Sequence, residues 1–564
     1  MMIEKIANLI KEATGEEEVK VMIPEQNKFG HYSTNLAFVI AKYQEIPVVA
    51  VAKEIREKIL RKAPKNFFER IDIAANGFLN FFLSKETLEE EINKILCLKN
   101  RYGYSDKGKG QVIIIDYSSP NVAKPLTIGH FRSTIIGQAL VNLFKFQGYK
   151  VIGDNHLGDW GAQFGALLVA FKKWKNEKEL KENLVGHLVS LYVRFHKEAE
   201  NNEKLLDEAK EETKKLQEGN KENRKLWKLF ITESLKEFNK TYKRLGIKFS
   251  LTLGESFYQP MLNQVVKEAL EKKVAVYNEG AVKIFFQEKE LIPPMVIQKS
   301  DDSFLYTTTD LAAIKYRVSR WHLNKILYVV ANEQTLHFNQ VFRAAEMLGY
   351  APKNILVHIK FGMLLGEEGK KMSTRKGEFI KLEEVLNKAV EKAGQINKEA
   401  AEKVGIGAIK YYDLSHYRES DIVFDWDRML DLKGNSGPYL QYTYSRLKSI
   451  LKKALVLPFF QNSNNFFSRK IDISLASSEA EKNIIRQLIY FPDAVAYAAE
   501  TYSPNHLADY LYKLANCINV FYEKESVLNA ENKIKENRLS LVSASSQVLK
   551  TGLDLLGIKV VEKM

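Results

Sequence analysis

The sequence predicts an α/β fold with a doubly wound parallel sheet, an α+β domain before it and an all-α domain after it. Three observations lead to this prediction. Short apolar runs rich in β-branched residues, typical of strands buried on both faces, recur between residues 111 and 369. Helical patterns separate these runs, and strands that alternate with helices form parallel sheets. After Gly405 the pattern is almost wholly helical.

Length and composition limit the class of protein. A chain of 564 residues should contain three or four domains, because single cores stop growing near ~250–300 residues. The net charge of +14 and the pI near 9.2 favour a polyanionic partner. Cys97 and Cys517 are the only cysteines, which excludes a disulfide framework and a zinc site built from cysteines. No apolar run is long enough for a membrane span and no leader pattern is present, so we expect a cytoplasmic protein.

The first 105 residues predict the small α+β domain. An amphipathic helix comes first, a second helix is expected to begin near Ser33, and residues 71–74 and 77–83 alternate as strands around a turn. A linker rich in glycine and lysine, Gly103–Gly110, follows.

The first strand of the predicted parallel sheet, Val112–Ile115, leads into a stretch that suits phosphate binding. A turn-rich loop follows it, and a helical pattern begins near Ile128. The N-terminus of such a helix offers unpaired N–H groups and the positive end of the helix dipole to an anion. His130 lies in the first turn, and Gly129 leaves room for a flat base. The alternative is a buried strand and an ordinary core helix, with His130 an incidental surface residue.

A second stretch, Gly369–Gly377, reads GKKMSTRKG. Its closely spaced cations can neutralise charge that develops on a polyphosphate. Taken alone, this sequence would more often be a solvated surface loop.

Together with Thr127–His130, this stretch resembles the HIGH and KMSKS signatures of class I aminoacyl-tRNA synthetases. The wider context, SSPNVAKPLTIGHFRSTIIG and then NHLGDWGAQFG, resembles the arginyl-tRNA synthetases in particular. FGHYSTNLAF and NGFLNFFL are similar to the N-terminal domain of that family, and GNSGPYLQYTYSRLKSIL and LDLLGIKVVEKM to its anticodon-binding helices. The resemblance therefore covers nearly the whole chain.

The resemblance implies a Rossmann-like catalytic domain that activates L-arginine with ATP and Mg²⁺ and transfers it to tRNA(Arg), releasing AMP and pyrophosphate. It also implies that activation needs bound tRNA. We expect no zinc, no membrane association and a monomer. The implied domains are an N-terminal domain that contacts the tRNA elbow (1–105), a catalytic domain (106–380) with a helical insertion (172–248), a helical connector (381–429) and an anticodon-binding domain (430–564).

The resemblance assigns roles to individual residues as well. The catalytic residues would be His130, Lys371 and Lys124. ATP would be bound by Ser118, Thr127, Gly129, His130, Lys371, Met372 and Ser373. Arginine would be bound by Asp116, Asn121, Tyr306, Asp310 and Gln334. The tRNA would be bound by Phe29, Tyr32, Tyr439, Tyr442 and Arg446, with exposed aromatic rings stacking on unpaired bases.

Arginine is a planar cation with five donors, and carboxylates are its best partners. Asp310 would be its main anionic partner, and its position four residues after Tyr306 favours this role over that of a helix N-cap. Two positions depart from the signatures: Thr127 replaces the first histidine, and Thr374 replaces the second lysine. Thr127 retains a donor hydroxyl and other cations surround Thr374, so we favour an active enzyme over a degenerate one.

Three alternatives stay open. A synthetase for glutamate or glutamine would need cations where Asp116 and Asp310 stand, and one for cysteine would need zinc ligands. A small-molecule adenylyltransferase would not need a basic helical domain after the sheet. An RNA-binding relative without activity would lack a functional signature pair.

Overall fold

The computed structural model describes residues 1–366, 369, 380–456 and 470–564. The chain forms two compact units: one contains Met1–Ser105 together with Leu430–Met564, and the other is Asp106–Met429. Among the helices of these described ranges, none is both long and apolar enough to cross a bilayer.

The first 105 residues form an antiparallel sheet in the order β1-β2-β4-β3, flanked by helices. The strands are β1 (Val21–Met22), β2 (Tyr32–Thr34), β3 (Phe68–Ile73) and β4 (Leu79–Leu83). The helices are α1 (Met2–Thr14), α2 (Leu36–Gln44), α3 (Val48–Lys62) and α4 (Lys85–Leu98), with 3₁₀ turns at Asn27–Phe29 and Lys99–Arg101. The expected helix start near Ser33 is wrong. Ser33 lies in β2 opposite Asn80 of β4, and the helix begins at Leu36, because pairing with a distant strand overrides the local helical pattern.

The unit Asp106–Met429 is built on the predicted parallel sheet. In chain order its strands are β5 (Val112–Asp116), β6 (Lys150–Asp154), β7 (Ala275–Asn278), β8 (Ala281–Ile284), β9 (Met295–Gln298), β10 (Lys325–Ala331), β11 (Leu356–Phe361), β12 (Leu364–Leu365) and β13 (Ile422–Val423). The parallel sheet has the order β11-β10-β5-β6. Ile113, Ile114 and Ile115 of β5 are at most 1% exposed, as expected for a strand covered on both faces.

Helices account for most of the remaining residues of this unit. They are α5 (Ile128–Phe146), α6 (Ala162–Trp174), α7 (Glu177–Ala199), α8 (Glu203–Gln217), α9 (Lys221–Leu245), α10 (Glu255–Tyr258), α11 (Leu262–Glu271), α12 (Tyr306–Arg320), α13 (Thr335–Met347), α14 (Leu382–Ile396), α15 (Ala401–Leu414) and α16 (Trp426–Leu430). Short 3₁₀ helices occur at Gln259–Met261, Glu288–Glu290 and Asn332–Gln334.

The alternating apolar residues of 281–286 and 295–298 predict strands that return the chain to the parallel sheet, and this prediction is wrong for the sheet that β8 and β9 join. They pair with β7 in a separate antiparallel sheet of three strands. The apolar residues of β8 and β9 pack against α11 and α12. An alternating pattern therefore predicts that one face of a strand is buried, but it does not predict which sheet the strand joins.

The predicted helical insertion consists of α7, α8 and α9. Gly186 and Gly219 predict two interruptions of its helices. The turn between α8 and α9 contains Gly219, whereas the first interruption lies at Asn183, where the backbone leaves the helical conformation inside α7. Phe230 and Phe238 of α9 are at most 1% exposed, and the Phe230 ring packs against that of Phe171 on α6 (5.2 Å between ring centres), so the insertion shares its apolar core with α6.

The segment Leu430–Met564 is helical, as predicted. Its helices are α17 (Gly437–Leu455), α18 (Glu479–Ile489), α19 (Phe491–Glu500), α20 (Asn505–Lys524) and α21 (Asn532–Leu555), with a 3₁₀ turn at Ile473–Leu475. These helices share one compact unit with the N-terminal segment, an arrangement that the sequence did not predict.

A buried carboxyl group, that of Asp493 on α19, joins the N-terminal segment to these helices. It accepts a hydrogen bond from the Tyr32 hydroxyl (2.9 Å) and one from the backbone N–H of Ile3 (3.3 Å). Nearby, the Tyr490 hydroxyl donates to the backbone carbonyl of His31 (3.0 Å). Burial raises the pKa of Asp493 to about 6.

This raised pKa predicts a pH dependence of stability. A carboxyl group whose pKa is raised by folding stabilises the fold while protonated, and this contribution is lost as the pH rises through the folded pKa. We expect the wild-type advantage in unfolding free energy over Asp493→Asn to shrink by about 2–3 kcal/mol between about pH 4 and pH 7.5. Urea titrations of both proteins measure this difference.

The matched control is Asp72→Asn, the same substitution at an exposed aspartate of the same unit. The difference in unfolding free energy between Asp72→Asn and the wild type should change little over that pH range. If the difference in unfolding free energy between the wild type and Asp493→Asn is also independent of pH, ionisation of Asp493 does not weaken the contact between the N-terminal segment and the C-terminal helices.

Candidate functional site

The carboxyl ends of β5 and β10 lie where the chain changes direction across the sheet. From β5 the chain proceeds to β6 on one side and later returns to β10 on the other side of β5. Open α/β sheets bind ligands in the crevice at such a switch point. The loops that follow β5 and β10 therefore define the candidate site.

The loop after β5 has a strained but well-supported backbone. Ser118 and Ser119 have φ values of 73° and 46°, in the left-handed region that side chains disfavour. The backbone N–H of Ser118 donates to Ser133 Oγ (2.9 Å), and that hydroxyl donates to the Val329 carbonyl of β10 (2.7 Å). Ser118 Oγ is 2.8 Å from the Tyr242 hydroxyl, and Ser118 is only 5% exposed. The Ser118 hydroxyl therefore stabilises the loop, and the expected contact of Ser118 with ATP stays a prediction.

His130 lies in the first turn of α5, as predicted, and its geometry defines its tautomer. The backbone N–H of Thr127 donates to His130 Nδ1 (3.1 Å), so Nδ1 carries the lone pair and the proton of the neutral ring is on Nε2. Burial lowers the pKa of His130, which favours this neutral form. Thr127 thus caps the helix and orients the ring, while Gly129 is exposed beside it.

Lys124 is half-buried in the loop before α5. Its Nζ lies 5.0 Å from the centre of the Tyr192 ring on α7, and no carboxylate in the described part of the chain pairs with it. The other predicted cation, Lys371, lies outside the described residues, as do Met372, Ser373 and Thr374.

Asp116, an expected arginine ligand, ends β5 but its carboxylate is already bound within the protein. Arg317 Nη2 donates to Asp116 Oδ2 (2.7 Å), and Ser119 Oγ donates to Oδ1 (2.9 Å). Arg317 also donates to Asp154 Oδ2 (2.8 Å) at the end of β6. Arg317 is 1% exposed. The Asp116 carboxylate thus binds an internal arginine, and the expected contact of Asp116 with the substrate arginine stays a prediction.

Asn121 is exposed at the crevice and lies over Gly158. Gly158 donates its backbone N–H to the Pro120 carbonyl (3.1 Å), and its own carbonyl accepts from Val122 N–H (3.0 Å). A Cβ on Gly158 would collide with the Asn121 side chain, so this close approach requires glycine.

The first turns of α12 and α13 bring together the residues predicted for a guanidinium pocket. Tyr306 begins α12 and is 60% exposed. Leu305 holds the N-cap position, so the alternative that Asp310 caps this helix is wrong. Asp310 Oδ2 is 2.7 Å from His337 Nε2, and the His337 ring lies 4.9 Å from that of Tyr306. Gln334 is exposed at the start of α13.

Glu255, at the start of α10, is near enough to Asp310 to be influenced by its charge, and no sequence pattern pointed to it. Burial raises the pKa of Glu255 to about 7, with further contributions from Asp310 and Asp159. Asp159 fixes this position because its carboxylate accepts from the Ser256 backbone N–H (2.8 Å) and hydroxyl (2.7 Å). Among the described side chains, none donates a hydrogen bond to the Glu255 carboxylate. Among the described side chains, no lysine or arginine is paired with Glu255 or Asp310, whose described side-chain partner is His337.

A second candidate site is a cavity of about 1130 Å³ among the C-terminal helices. The Arg446 guanidinium lies 4.7 Å from the Tyr442 ring and 4.3 Å from the Tyr522 ring, and it donates to Asn519 Oδ1 (2.9 Å). The remaining lining includes Lys448, Lys452 and Met564. Cations and aromatic rings of this kind suit unstacked bases and phosphates.

The other predicted nucleic-acid contacts differ in exposure. Tyr439 is 9% exposed and bonds to Asn516 and Asn519, so it supports the wall of the cavity from inside. The expectation of an exposed Tyr32 is wrong, because this residue is fully buried against Asp493. Phe29 is 39% exposed, with Lys28 Nζ 4.9 Å from its ring centre.

Within the described ranges, no group of three or more His, Cys, Asp or Glu side chains is arranged to hold a metal ion.

Family comparisons match three successive segments of the chain. Residues 1–83 match the arginyl tRNA synthetase N terminal domain, residues 91–426 match the catalytic domain of tRNA synthetases class I (R), and residues 440–564 match the DALR anticodon binding domain.

Individual proteins are similar over the full length. An arginine–tRNA ligase of Fusobacterium nucleatum is 40% identical, covering 97% of this chain and 95% of its own length. The arginine–tRNA ligase of Halothermothrix orenii is also 40% identical, covering 100% and 99%. The crystal structure of arginyl-tRNA synthetase from Plasmodium falciparum superimposes with a TM-score of 0.82 at 29% identity, covering 100% of this chain and 99% of that one.

Proposed function

The chain belongs to the arginyl-tRNA synthetase family of class I aminoacyl-tRNA synthetases, and we propose that it activates L-arginine with ATP and transfers the arginyl group to tRNA(Arg). The observation that carries this proposal is the pair of acidic side chains Glu255 and Asp310, to which no described lysine or arginine is bound, inside a protein whose net charge is +14.

In the proposed pocket, the guanidinium of arginine lies between Asp310 and Glu255. Its five donors allow it to bind both carboxylates and the Tyr306 hydroxyl, whereas lysine would leave acceptors without partners. His337 holds Asp310 in place through their 2.7 Å contact. Asn121 and Gln334, both exposed at the crevice, would bind the polar groups at the other end of the substrate.

In the proposed activation step, a carboxylate oxygen of arginine attacks the α-phosphorus of ATP. The bond from this phosphorus to the bridging oxygen breaks, and pyrophosphate leaves. The enzyme stabilises the negative charge that spreads over the phosphates. His130 Nε2–H supplies a donor, with Gly129 and Thr127 beside the nucleotide. Lys124 and the Lys371–Ser373 stretch of the second signature supply the remaining contacts.

We propose that Mg²⁺ enters bound to the triphosphate of ATP. In the transfer step, a hydroxyl of the terminal ribose of tRNA attacks the arginyl carbonyl, and AMP leaves. The catalytic domain would be residues 106–380, with the insertion at 172–248 and a connector at 381–429.

The proposed tRNA contacts lie in the other unit. Residues 430–564 would bind the anticodon through the cavity around Arg446 and Tyr442, and residues 1–105 would contact the elbow through Phe29. We propose that the protein works as a monomer in the cytoplasm, because one chain contains all three matched domains and translation takes place there.

A direct test of this function is aminoacylation of total tRNA with each amino acid in turn. We expect charging with arginine alone, and pyrophosphate exchange that depends on arginine and on added tRNA(Arg). Charging with glutamate, glutamine or cysteine, or exchange with none of the amino acids, would contradict the proposal.

The raised pKa of Glu255 predicts that arginine binding releases a proton near pH 7. The incoming cation lowers the pKa of a carboxyl group that is partly protonated in the free enzyme, so affinity should rise as the pH increases through about 7. Calorimetric titrations in two buffers of different ionisation enthalpy measure this proton.

Glu255→Gln should abolish the proton release and weaken arginine binding by about 10- to 100-fold. Asp310→Asn should reduce the release, because it removes the charge that helps to raise the Glu255 pKa. Glu271→Gln, an identical change at an exposed position of the same unit, is the control. An undiminished release in Glu255→Gln would exclude Glu255 as the titrating group.

The cavity around Arg446 predicts a specific loss of tRNA affinity. Arg446→Gln removes a cation held between two tyrosine rings, and we expect the Kd for tRNA(Arg) to rise by about 10- to 100-fold, as for loss of one stacked base contact. Arg61→Gln removes the same charge from an exposed position on α3 and measures the non-specific effect. Equal losses in the two variants would show that the cavity does not bind the tRNA.

A further inference from the structure

The helical insertion contacts the loop that precedes α5, although the two are far apart in the sequence. The backbone N–H of Ala123 donates to Ser234 Oγ on α9 (2.9 Å), and Ser234 is fully buried. The next residue, Lys124, reaches α7, where its Nζ lies 5.0 Å from the centre of the Tyr192 ring. The insertion therefore supports a loop that carries one of the predicted catalytic cations.

The backbone of this loop is fixed directly before Lys124. Ala123 has a φ of 61°, in the left-handed region that side chains disfavour, and such a conformation persists only where the surroundings hold it. The hydrogen bond to Ser234 holds Ala123 itself, and the N–H of Val122 donates to the Gly158 carbonyl (3.0 Å). Because these bonds fix the two residues before Lys124, they also fix the direction in which its side chain leaves the loop.

The part of α7 that carries Tyr192 has supports of its own. It comes after the break inside this helix, and His187 joins the two sides of the break. His187 Nε2 accepts a hydrogen bond from the Asn176 N–H (3.1 Å), and Nδ1 lies 2.5 Å from Glu179 Oε2. The Tyr192 ring packs against the ring of His196, one turn further along (4.4 Å between ring centres). The position of the Tyr192 ring is therefore set within the insertion.

An aromatic ring holds a cation in a different way from a carboxylate. A carboxylate partner would cancel the charge of Lys124, whereas the face of a ring attracts the ammonium through its quadrupole and leaves the net charge in place. Within the described ranges, no carboxylate pairs with Lys124. The Tyr192 ring thus confines the ammonium and leaves its N–H groups for a phosphate oxygen.

We propose that Tyr192 is a positioning residue for the activation step, which holds the Lys124 ammonium where it contacts the triphosphate of ATP. This inference rests on the proposed function, because it assigns Tyr192 an effect on a cation of that reaction. Tyr192 does not touch the substrates and acts through Lys124. Through this ring, the helical insertion contributes to the activation step.

The experiment changes the electrostatics of the ring and keeps its shape. Tyr192→Phe is compared with proteins in which the new phenylalanine ring carries one, two or three fluorines, because fluorine withdraws electrons and weakens the attraction of a ring face for a cation. Pyrophosphate exchange with arginine, ATP and tRNA(Arg) gives kcat and KM for each protein. The same series is measured in Lys124→Met, which removes the charge and keeps a long side chain. Thermal unfolding of each variant reports its structural cost.

The matched control is a cation–π pair inside the insertion that does not involve Lys124. The Arg194 guanidinium lies 4.5 Å from the centre of the Trp174 ring. Trp174→Leu and Tyr192→Leu each remove one ring from beside a cation. We expect Trp174→Leu to keep kcat within about twofold, because this ring does not hold Lys124.

We expect Tyr192→Phe to keep kcat within about twofold, since the ring remains. Three fluorines, or Tyr192→Leu, should lower kcat by about 3- to 30-fold, as for loss of a cation–π contact at a partly buried site, with the KM for arginine within about twofold. In Lys124→Met the whole series should be flat, because residues that act through one another have non-additive effects.

The proposal is overturned if kcat does not fall with added fluorine, or if it falls as steeply in Lys124→Met. If Lys124→Met is too slow to assay, the series with Lys124 present still separates a cation–π role, which follows the number of fluorines, from a packing role, which does not. A failure of the proposed function looks different, because the unmodified protein would then show no arginine-dependent exchange at all.

Discussion

The ion network of Arg317 is the interaction on which the active-site architecture depends most. One buried guanidinium joins the carboxyl ends of β5 and β6 through Asp116 and Asp154, and its contact with the Tyr328 hydroxyl (3.3 Å) adds β10. Removing one partner of such a network leaves an unpaired buried charge, at a cost of about 3–5 kcal/mol. Arg317 is on α12, so the network also fixes the helix that carries Asp310 in its first turns. The same ion network therefore holds both the strand ends that border the crevice and the helix that carries Asp310.

In the absence of substrate, the proposed pocket holds two acidic side chains that no described lysine or arginine neutralises. This unfavourable arrangement favours specificity for a cationic substrate. Burial, together with the negative charge of Asp310, raises the pKa of Glu255 to about 7, so Glu255 is partly protonated near neutral pH. The surrounding protein supports this arrangement through Asp159, which fixes the start of α10, and through His337, which holds Asp310. A cation with several donors neutralises these carboxylates, whereas a neutral analogue does not. Specificity then follows from charges that are positioned before binding.

Local sequence patterns predicted those features that depend on local interactions. The apolar run of β5 and the turn-rich loop before α5 placed His130 at a helix N-terminus without knowledge of any partner. Features that depend on distant partners were missed or wrong. The carboxylate of Asp116 looked available because Arg317 is 201 positions away, and Tyr32 looked exposed because Asp493 is 461 positions away. Glu255 had no signal, since its significance comes from Asp310, which the fold brings near.

The junction at Asp493 changes what the N-terminal domain can contribute. Tyr32 was expected to meet a base, yet its hydroxyl and ring are used to join residues 1–105 to the C-terminal helices. The two segments then form one compact unit, although 324 residues of sequence separate them. In the proposed function, Phe29 and Arg446 would contact different parts of the same tRNA. Both residues belong to this unit, so the distance between them is set when the protein folds. In the proposed function, binding of the tRNA would therefore lose little conformational entropy in bringing the elbow and anticodon contacts to the right spacing. In the proposed function, a buried contact that removes Tyr32 from the surface would therefore support tRNA binding by preorganising Phe29 and Arg446.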